Sequence, residues 1–358
     1  MKKSETSRMS SPNDLQCRSV ESLYAQPVVP LDDSPLQSVA SPCEVCGCRQ
    51  VQPVYDLPGT PYQLVRCVSC GLGSLSPQPT PDELTRYYPS HYYGSEGRKF
   101  SPLIEWLVRI VGARHAHFLA RQCAPDRRIL DVGCGRGVTL KALADQGYEA
   151  HGFEVHADAM RGIDPRIHTH IADSLQQADF PAESFDEVLI WHVLEHIPNP
   201  RQTLSEIHRI LRPGGVLIVA VPNWSSWQAR WAGSAWFHLD PPRHLFHFPL
   251  KALKQLLTAN GFTCQSEHHF SLRQNPYGWI QSALNRLPWL PRNGLYALLH
   301  RRQSDPTSTP RLTVRDRWQH LQFWLFLIVF AAPALGLSVF AALCRQGATV
   351  HVVAVRNP

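Results

Sequence analysis

Three groups of residues have the types and spacing that chemistry needs. The first is Asp131-Val132-Gly133-Cys134-Gly135-Arg136-Gly137, which follows the apolar run Ile129-Leu130 and precedes helical spacing from Val138 to about Gln146. Glycine takes positive φ and lets a ligand approach the backbone without a Cβ in the way. The helix that follows offers unpaired N–H groups and the positive end of its dipole. The stretch therefore reads as a nucleotide- or nucleoside-binding turn at the end of a first strand. The dinucleotide pattern G-x-G-x-x-G would need glycine at position 138, where the chain has Val138; the pattern present is D-x-G-x-G-x-G. The second group is Cys43-Glu44-Val45-Cys46-Gly47 and Cys67-Val68-Ser69-Cys70-Gly71, two C-x-x-C-G knuckles with twenty residues between Cys46 and Cys67. Each tight turn aims two thiolates at one ion, so Cys43, Cys46, Cys67 and Cys70 read as a closed tetrahedral zinc site. A closed site leaves no position for substrate, which makes the zinc structural. Cys48 is a spare thiol beside it. The third group is histidines: His192 and His196 after one apolar strand, His244 and His247 after the next.

The elements that must position these groups alternate. Strand Arg128–Val132 leads to helix Val138–Gln146, strand Glu149–Glu154 to helix His156–Arg161, and a weaker strand spans Ile167–Ile171. Strand Glu187–Trp191 precedes helix Pro200–Leu211, and strand Gly215–Val221 precedes helix Leu250–Asn260, which Gly261 ends. Strand Phe262–Phe270 follows. This order predicts a parallel sheet with helices on both faces. Pro102 to about Cys123 has helical apolar spacing and should pack beside the first strand. Residues 1–40 are rich in Ser, Pro, Asp and Gln without apolar periodicity and read as a disordered tail. The division is a tail at 1–40, a zinc-ribbon-like module and connector at 41–100, a core at 101–272, an insertion at 273–345 and a last core strand at 346–358. Tyr87, Tyr88, Tyr92 and Tyr93 either cover the mouth of the site or pack on the core. Trp224, Trp227, Trp231 and Trp236 form an aromatic lid, an interfacial anchor or ordinary packing.

The glycine-rich turn resembles motif I of the class I methyltransferases that use S-adenosylmethionine, and the resemblance extends along the run. Glu154 stands 21 positions after Gly133, where the family's motif II carboxylate accepts both ribose hydroxyls. Ala172-Asp173-Ser174 lies where the family contacts adenine. Ser184-Phe185-Asp186-Glu187-Val188-Leu189-Ile190-Trp191-His192-Val193-Leu194-Glu195-His196 is similar to its fourth-strand segment, and Leu211-Arg212-Pro213-Gly214-Gly215 to its turn before the fifth strand. The resemblance implies a Rossmann-like, doubly wound α/β fold with a mostly parallel sheet and an antiparallel last strand, plus the small N-terminal module. It implies S-adenosylmethionine as cofactor, held by Asp131, Gly133, Cys134, Gly135, Gly137, Glu154, Val155, Asp173, Ser174 and Trp191. His192, His196 and His244 are then candidate catalytic bases, set where the methyl group should lie. The module, Pro79-Thr80-Pro81-Asp82-Glu83-Leu84 and Asp240-Pro241-Pro242-Arg243-His244-Leu245-Phe246-His247-Phe248 look like a bacterial subgroup linked to small-molecule, sugar or lipid-envelope methylation.

Phe323 to Cys344 runs 22 residues without a charge, long enough to cross a bilayer. Thr349–Val355 then reads as a strand, so the apolar stretch should leave and return on one side. A hairpin or two short helices broken near Pro333 would do that. A buried hairpin, a single span and a monotopic anchor are the three readings, and the monotopic anchor is favoured because apolar side chains ring the helix. The approach is basic, with Arg301, Arg302, Arg311, Arg315 and Arg317 against Asp305 and Asp316, which suits an anionic cytoplasmic leaflet.

Composition bounds the rest. The chain has 358 residues, 44% of them hydrophobic and 18% charged, enough for one large domain with additions. A net charge of +6 does not argue for nucleic acid, and residues 41–75 hold only Arg49 and Arg66 as basic side chains. Five of ten cysteines lie between Cys43 and Cys70 with no secretory signal visible, which points to metal in a reducing compartment. The expected protein is a cytoplasmic methyltransferase at the inner face of the membrane, acting on a small-molecule, sugar or lipid-linked acceptor, with no nucleic-acid partner. A zinc-ribbon scaffold with a non-catalytic cofactor fold and a Rossmann dehydrogenase are the competing readings.

Overall fold

The computed structural model describes residues 29–30, 35–87, 127–300 and 313–358. The helix expected over 102–123, Tyr88, Tyr92, Tyr93, Arg301, Arg302, Asp305, Arg311 and most of the expected tail lie outside the described residues.

Two sheets carry the chain. The N-terminal one is built from β1 (Val29–Pro30), β2 (Gln37–Ser38), β3 (Gln50–Asp56), β4 (Gln63–Cys67) and β5 (Gly73–Ser76), followed by the short helix α1 (Pro81–Thr85). The larger sheet holds β6 (Arg128–Val132), β7 (Glu149–Glu154), β8 (His168–Ile171), β9 (Phe185–Trp191), β10 (Leu211–Pro222), β12 (Phe262–His268) and β13 (Thr349–Arg356). Its helices include α2 (Val138–Ala144), α3 (Pro200–Ile210), α4 (Trp227–Ala232) and α5 (Leu250–Ala259). Where a helix was expected over His156–Arg161, the chain makes only a 3-10 turn at Ala157–Met160.

The spatial order is β8-β7-β6-β9-β10-β13-β12. The strands from β8 to β10 are parallel, and β13 enters antiparallel between β10 and β12. The expected fold class holds, including the inserted last strand. Residue type explains the order. β9 and β10 are near-continuous apolar runs buried on both faces, as central parallel strands must be, while β8 and β12 are half-exposed edges. α3 buries Thr203, Leu204, Ile207 and Ile210, and α5 buries Ala252, Leu253, Leu256 and Leu257; both patterns recur every three to four residues.

The N-terminal sheet is not a detached module. Its edge strand β5 pairs antiparallel with β11 (Phe246–His247), a two-residue strand from the core segment after β10. Arg201 on α3 donates to the carbonyls of Glu44 and Val45 inside the first knuckle at 3.0 and 2.8 Å. Leu57, Leu64, Leu72 and Leu75 share one buried cluster with Leu204, Trp236 and Phe248.

The insertion corrects an expectation. No break occurs at Pro333. Helices α6 (Asn275–Asn285) and α7 (Gly294–His300) are followed by one continuous 30-residue helix, α8 (Val314–Leu343), which runs through Pro333. At 1.5 Å per residue it is about 45 Å long. The outward path is therefore taken before residue 313, and α8 alone makes the return to β13. Phe323, Ala334, Ser338 and Ala341 form its buried stripe, and Phe323 and Ala334 pack with Ile280, Leu284 and Leu295 on α6 and α7. Proline removes one ladder hydrogen bond, but Pro333 sits on the exposed side, away from that packed stripe. The turn into β13 is tight: a Cβ on Gly347 would lie 1.8 Å from the carbonyl oxygen of His269.

The contact between the sheets gives a stability prediction. A Cβ on Gly73 would lie 2.4 Å from the Trp224 ring, and such overpacking costs about 1–3 kcal/mol. Gly73→Ala should lower the unfolding free energy by that amount, read as a lower denaturant midpoint at unchanged slope. An unchanged midpoint would mean that the N-terminal sheet moves independently of the core.

Candidate functional site

A cavity of about 2360 Å³ opens at the carboxyl ends of β6, β7, β9 and β10, where an open α/β sheet binds its ligands. Its floor is the glycine-rich turn. Gly133 N–H donates to the Phe153 carbonyl at 2.8 Å, and Gly135 N–H donates to Glu154 Oε1 at 2.7 Å. These two bonds fix the turn after β6 to the end of β7. Gly133, Gly135 and Gly137 all have positive φ. They differ in what surrounds them. A Cβ on Gly133 would strike Val193 at 2.4 Å and one on Gly137 would strike Ile163 at 2.7 Å, whereas one on Gly135 would meet nothing within 4 Å. Gly135 is thus the glycine whose missing side chain leaves space for a ligand.

Asp131, Gly133, Cys134, Gly135, Glu154, Val155, Asp173, Ser174 and Trp191 all line the cavity; Gly137 does not. Gly137 instead caps α2 in the left-handed conformation. The Cys134 side chain packs toward the sheet, where a Cβ on Gly152 would lie 2.6 Å from its sulfur. Its thiol belongs to the wall under the turn. Asp131 is buried, and burial, then the charge of Glu154, pushes its carboxyl up to about 8. Burial also raises Glu154, against the hydrogen bond from Gly135.

The opposite wall carries the expected histidines and more. His192, His196 and His244 line the cavity with Glu195, His238, Asp240 and Arg243. His196 and His244 rings meet edge to face at 4.6 Å. Nδ1 of His196 lies 2.9 Å from the Arg243 carbonyl, and Nδ1 of His244 lies 2.8 Å from the His238 carbonyl. A carbonyl only accepts, so both Nδ1 atoms carry the proton. His192 takes a positive φ of 55° and is anchored by its N–H to the Ala220 carbonyl at 2.8 Å. Burial drives His192 and His238 down to about 3 and His247 to about 4, and pushes Glu195 up to about 7. Burial also lowers His196 and takes His244 well below its ordinary value. The imidazoles on this wall are neutral.

His247 is held apart, with Nε2 donating to the Leu239 carbonyl at 3.0 Å, and does not line the cavity. The four tryptophans form no lid, since none lines it. Trp236 is buried with Nε1 donating to Gln228, Trp224 packs over Gly73, Trp227 meets Phe340 of α8, and Trp231 meets Trp279 and Arg286. Sequence reading missed Asp240 and the distal wall: Tyr277, Asn293 and Tyr296 from the insertion, and Val339 and Leu343 from α8. Asp240 stood within a quoted segment; the insertion residues carry no spacing that marks them.

The knuckles converge as expected. Gly47 and Gly71 N–H groups donate to the Cys43 and Cys67 carbonyls at 2.8 and 3.0 Å, two copies of one turn. The sulfurs of Cys43 and Cys70 lie 3.5 Å apart, as do those of Cys46 and Cys67. Four thiolates about 2.3 Å from one zinc would sit roughly 3.8 Å from each other. The donor set and its size fit that ion. Cys48 is outside the set and points to the Gln50 carbonyl. A hydrogen bond from the Cys70 thiol pulls Cys43 down to about 5, and the same bond pushes Cys70 up.

Comparison with known proteins agrees with this geometry. Residues 106–267 match a family model described as a methyltransferase domain. The chain is 31% identical over 175 residues to a ubiquinone biosynthesis O-methyltransferase of Maricaulis maris, covering 45% of this chain and 67% of that one. It is 34% identical over 142 residues to a sterol 24-C-methyltransferase of Yarrowia lipolytica, covering 36% and 34%. A probable S-adenosylmethionine-dependent methyltransferase of Mycolicibacterium smegmatis is 35% identical over 108 residues, covering 29% and 41%. The chain thus spans two thirds of the first relative and well under half of the other two. A solved methyltransferase from Archaeoglobus fulgidus is 16% identical with a TM-score of 0.44, over 69% of this chain and 94% of that one.

The buried carboxylate under the turn gives a pH prediction. An unfolded aspartate titrates near pH ~3.9, but folded Asp131 keeps its proton to about 8. Between those values unfolding releases a proton, so this group's contribution to stability falls as pH rises. Asp131→Asn should match the parent in stability at pH 4 and exceed it at pH 8. Parallel stability curves across that range would contradict the assigned burial.

Proposed function

Because the chain belongs to the S-adenosylmethionine-dependent methyltransferases, we propose that it methylates an acceptor with a polar head and an apolar, membrane-borne portion. The observation that carries this reading is the extent of the cavity. It runs from Gly135 and Glu154 past His196 and His244 to Phe270, Leu272, Val339 and Leu343. Its far end is apolar and belongs partly to α8. That helix exposes Trp318, Leu325, Ile328, Val329, Phe340 and Leu343, and only 17% of its most apolar window is buried. An apolar surface of that size on one helix suits a lipid phase.

Each residue has a part. The turn at Gly133 and Gly135 and the open oxygen of Glu154 hold the amino-acid tail and the ribose, with Asp173 and Ser174 at the adenine end. Bound S-adenosylmethionine supplies a methyl group on a sulfonium. His196 and His244 present neutral imidazoles on the facing wall, where they can orient an acceptor hydroxyl or take its proton. The cavity walls exclude water from that contact. The cytoplasmic side of a membrane is the matching location, with Arg317 near the entry of α8. Cys43, Cys46, Cys67 and Cys70 hold a structural zinc that braces the N-terminal sheet.

The test uses full-length protein in its native membrane fraction and adenosylmethionine labelled in the methyl group. Label should pass into material extracted by organic solvent, and Gly135→Val should abolish both transfer and cofactor binding. Glu154→Ala should weaken cofactor binding by about 1.5–3 kcal/mol, the range for a hydrogen bond to a charged group. Label confined to water-soluble products, with the protein wholly in the soluble fraction, would overturn the membrane reading. The zinc proposal has its own check. Elemental analysis of protein purified without added metal should find one zinc per chain, lost in Cys43→Ser; less than about half an equivalent in the parent protein would count against it.

A further inference from the structure

Three imidazoles and a carboxylate meet at the outer edge of the larger sheet. β8, the last strand on that side, reads His168-Thr169-His170-Ile171. Side chains two apart on a strand share a face, so His168 and His170 lie on one side of the sheet. The parallel register sets His151 of β7 beside His168, and Glu149 stands two residues before His151. The rings of His151 and His168 stack at 4.6 Å, and those of His151 and His170 at 5.4 Å. Buried Phe185 and Phe180 back them edge to face, 5.2 Å from His151 and 4.7 Å from His170. Glu149, His151 and His168 each offer one ligand atom, and these atoms lie within 4.8 Å of one another. None of these residues lines the cavity.

The contacts around His151 give each of its ring nitrogens a direction. Nε2 lies 3.0 Å from Glu149 Oε1, and Nδ1 lies 3.1 Å from Nε2 of His170. Ligand atoms held about 2.0–2.1 Å from one cation sit roughly 3 Å apart, so the spacing of Glu149 and His151 suits a shared ion. Burial lowers His151 and His170, and the neighbouring imidazoles add to it, against the hydrogen bond between His151 and Glu149. Neutral rings keep a lone pair for a cation. Arg128 Nε stands 2.9 Å from Glu149 Oε1, but both side chains are well exposed, and an ion pair so open to water is weak.

We propose that Glu149, His151 and His168 bind one divalent late first-row cation of the zinc, nickel and copper class, with His170 orienting His151. Imidazole ligands beside one carboxylate select these ions over magnesium and calcium. With the cation on Nε2 of His151, Nδ1 keeps its proton and donates to His170, the kind of outer partner that a ligating imidazole normally has. The ligands come from two neighbouring strands, so the cation clasps edge strand β8 to β7. β7 ends at Glu154, and Asp173 and Ser174 follow β8, all three in the cavity wall. The clasp therefore steadies one side of the cavity from outside it. The site does not rest on the methyltransferase reading.

The experiment adds Ni2+ to full-length protein from which a brief chelator wash has removed weakly held metal. Calorimetry counts the ions bound, and hydrogen exchange read by mass spectrometry reports where they act. One Ni2+ per chain should bind and slow amide exchange in the peptides that carry β7 and β8. His168→Ala removes an exposed side chain and leaves the core untouched, yet should weaken binding by more than about tenfold. His170→Ala should weaken it too, whereas Arg128→Gln, which removes a competing positive charge, should strengthen it. Adenosylmethionine affinity, measured on the same samples, tests the methyltransferase reading separately. No binding at millimolar Ni2+, or binding undiminished in His168→Ala, overturns the proposal. Binding lost instead in His244→Ala places the ion in the cavity and overturns it equally.

Discussion

The loop after β9 lies against the glycine-rich turn after β6 with no room for a side chain between them. Val193 occupies the space that a Cβ on Gly133 would need, at 2.4 Å. Adjacent parallel strands bring these two loops together at the sheet's switch point. Their contact sets how the glycine-rich end of the cavity faces the wall that carries His192, Glu195 and His196. Behind the turn, the Phe153 carbonyl and the Glu154 carboxylate hold the N–H groups of Gly133 and Gly135. A small shift at position 133 would therefore be felt on both sides of the site.

The same wall is braced from outside the sheet. His244 precedes β11, and β11 is the strand that the N-terminal sheet takes as its edge partner. Leu245 N–H also donates to the Glu195 carbonyl at 2.9 Å, and Leu75 N–H donates to the Leu245 carbonyl at 3.1 Å. The cysteine knuckles, β5, Leu245 and Glu195 thus form one chain of backbone contacts. A metal held by the knuckles would act on the cavity through that chain, by fixing the residues beside His244. The long helix is joined to the site just as directly, because it ends at Leu343 in the cavity wall and turns at Gly347 into β13.

The sheet order and the conformation of the glycine-rich turn were legible because they rest on local features: continuous apolar runs, glycines at fixed offsets and an acidic residue near the end of each of two strands. The knuckles were legible for the same reason. Long-range contacts were not. Nothing in Glu195 alone announces that its carboxylate is buried without a hydrogen bond, since that depends on Asp240, Arg243 and His244 arriving from nearly fifty residues away. Gly137 was read as a cofactor contact from its place in the motif, while the fold uses it as a helix cap. Pro333 was read as a break. Local propensity supports that reading, but the stripe of Phe323, Ala334, Ser338 and Ala341 packs along one unbroken axis, and the proline lies outside it. The tryptophans after β10 look like a cluster in sequence, yet they point to four separate environments.

β13 is the strand nearest the centre of the sheet among those that close its antiparallel end, and it is made after every other strand described. On the ribosome, β10 and β12 must wait with unpaired edges until it arrives. Such edges are prone to wrong pairing. α8 precedes β13 and is therefore exposed to its surroundings while the sheet is still incomplete. An apolar helix that settles into a lipid surface at that stage would deliver β13 to the gap as a tethered segment over a short distance. The order of synthesis thus leaves the apolar face of α8 and the open edges of β10 and β12 exposed together until β13 closes the sheet.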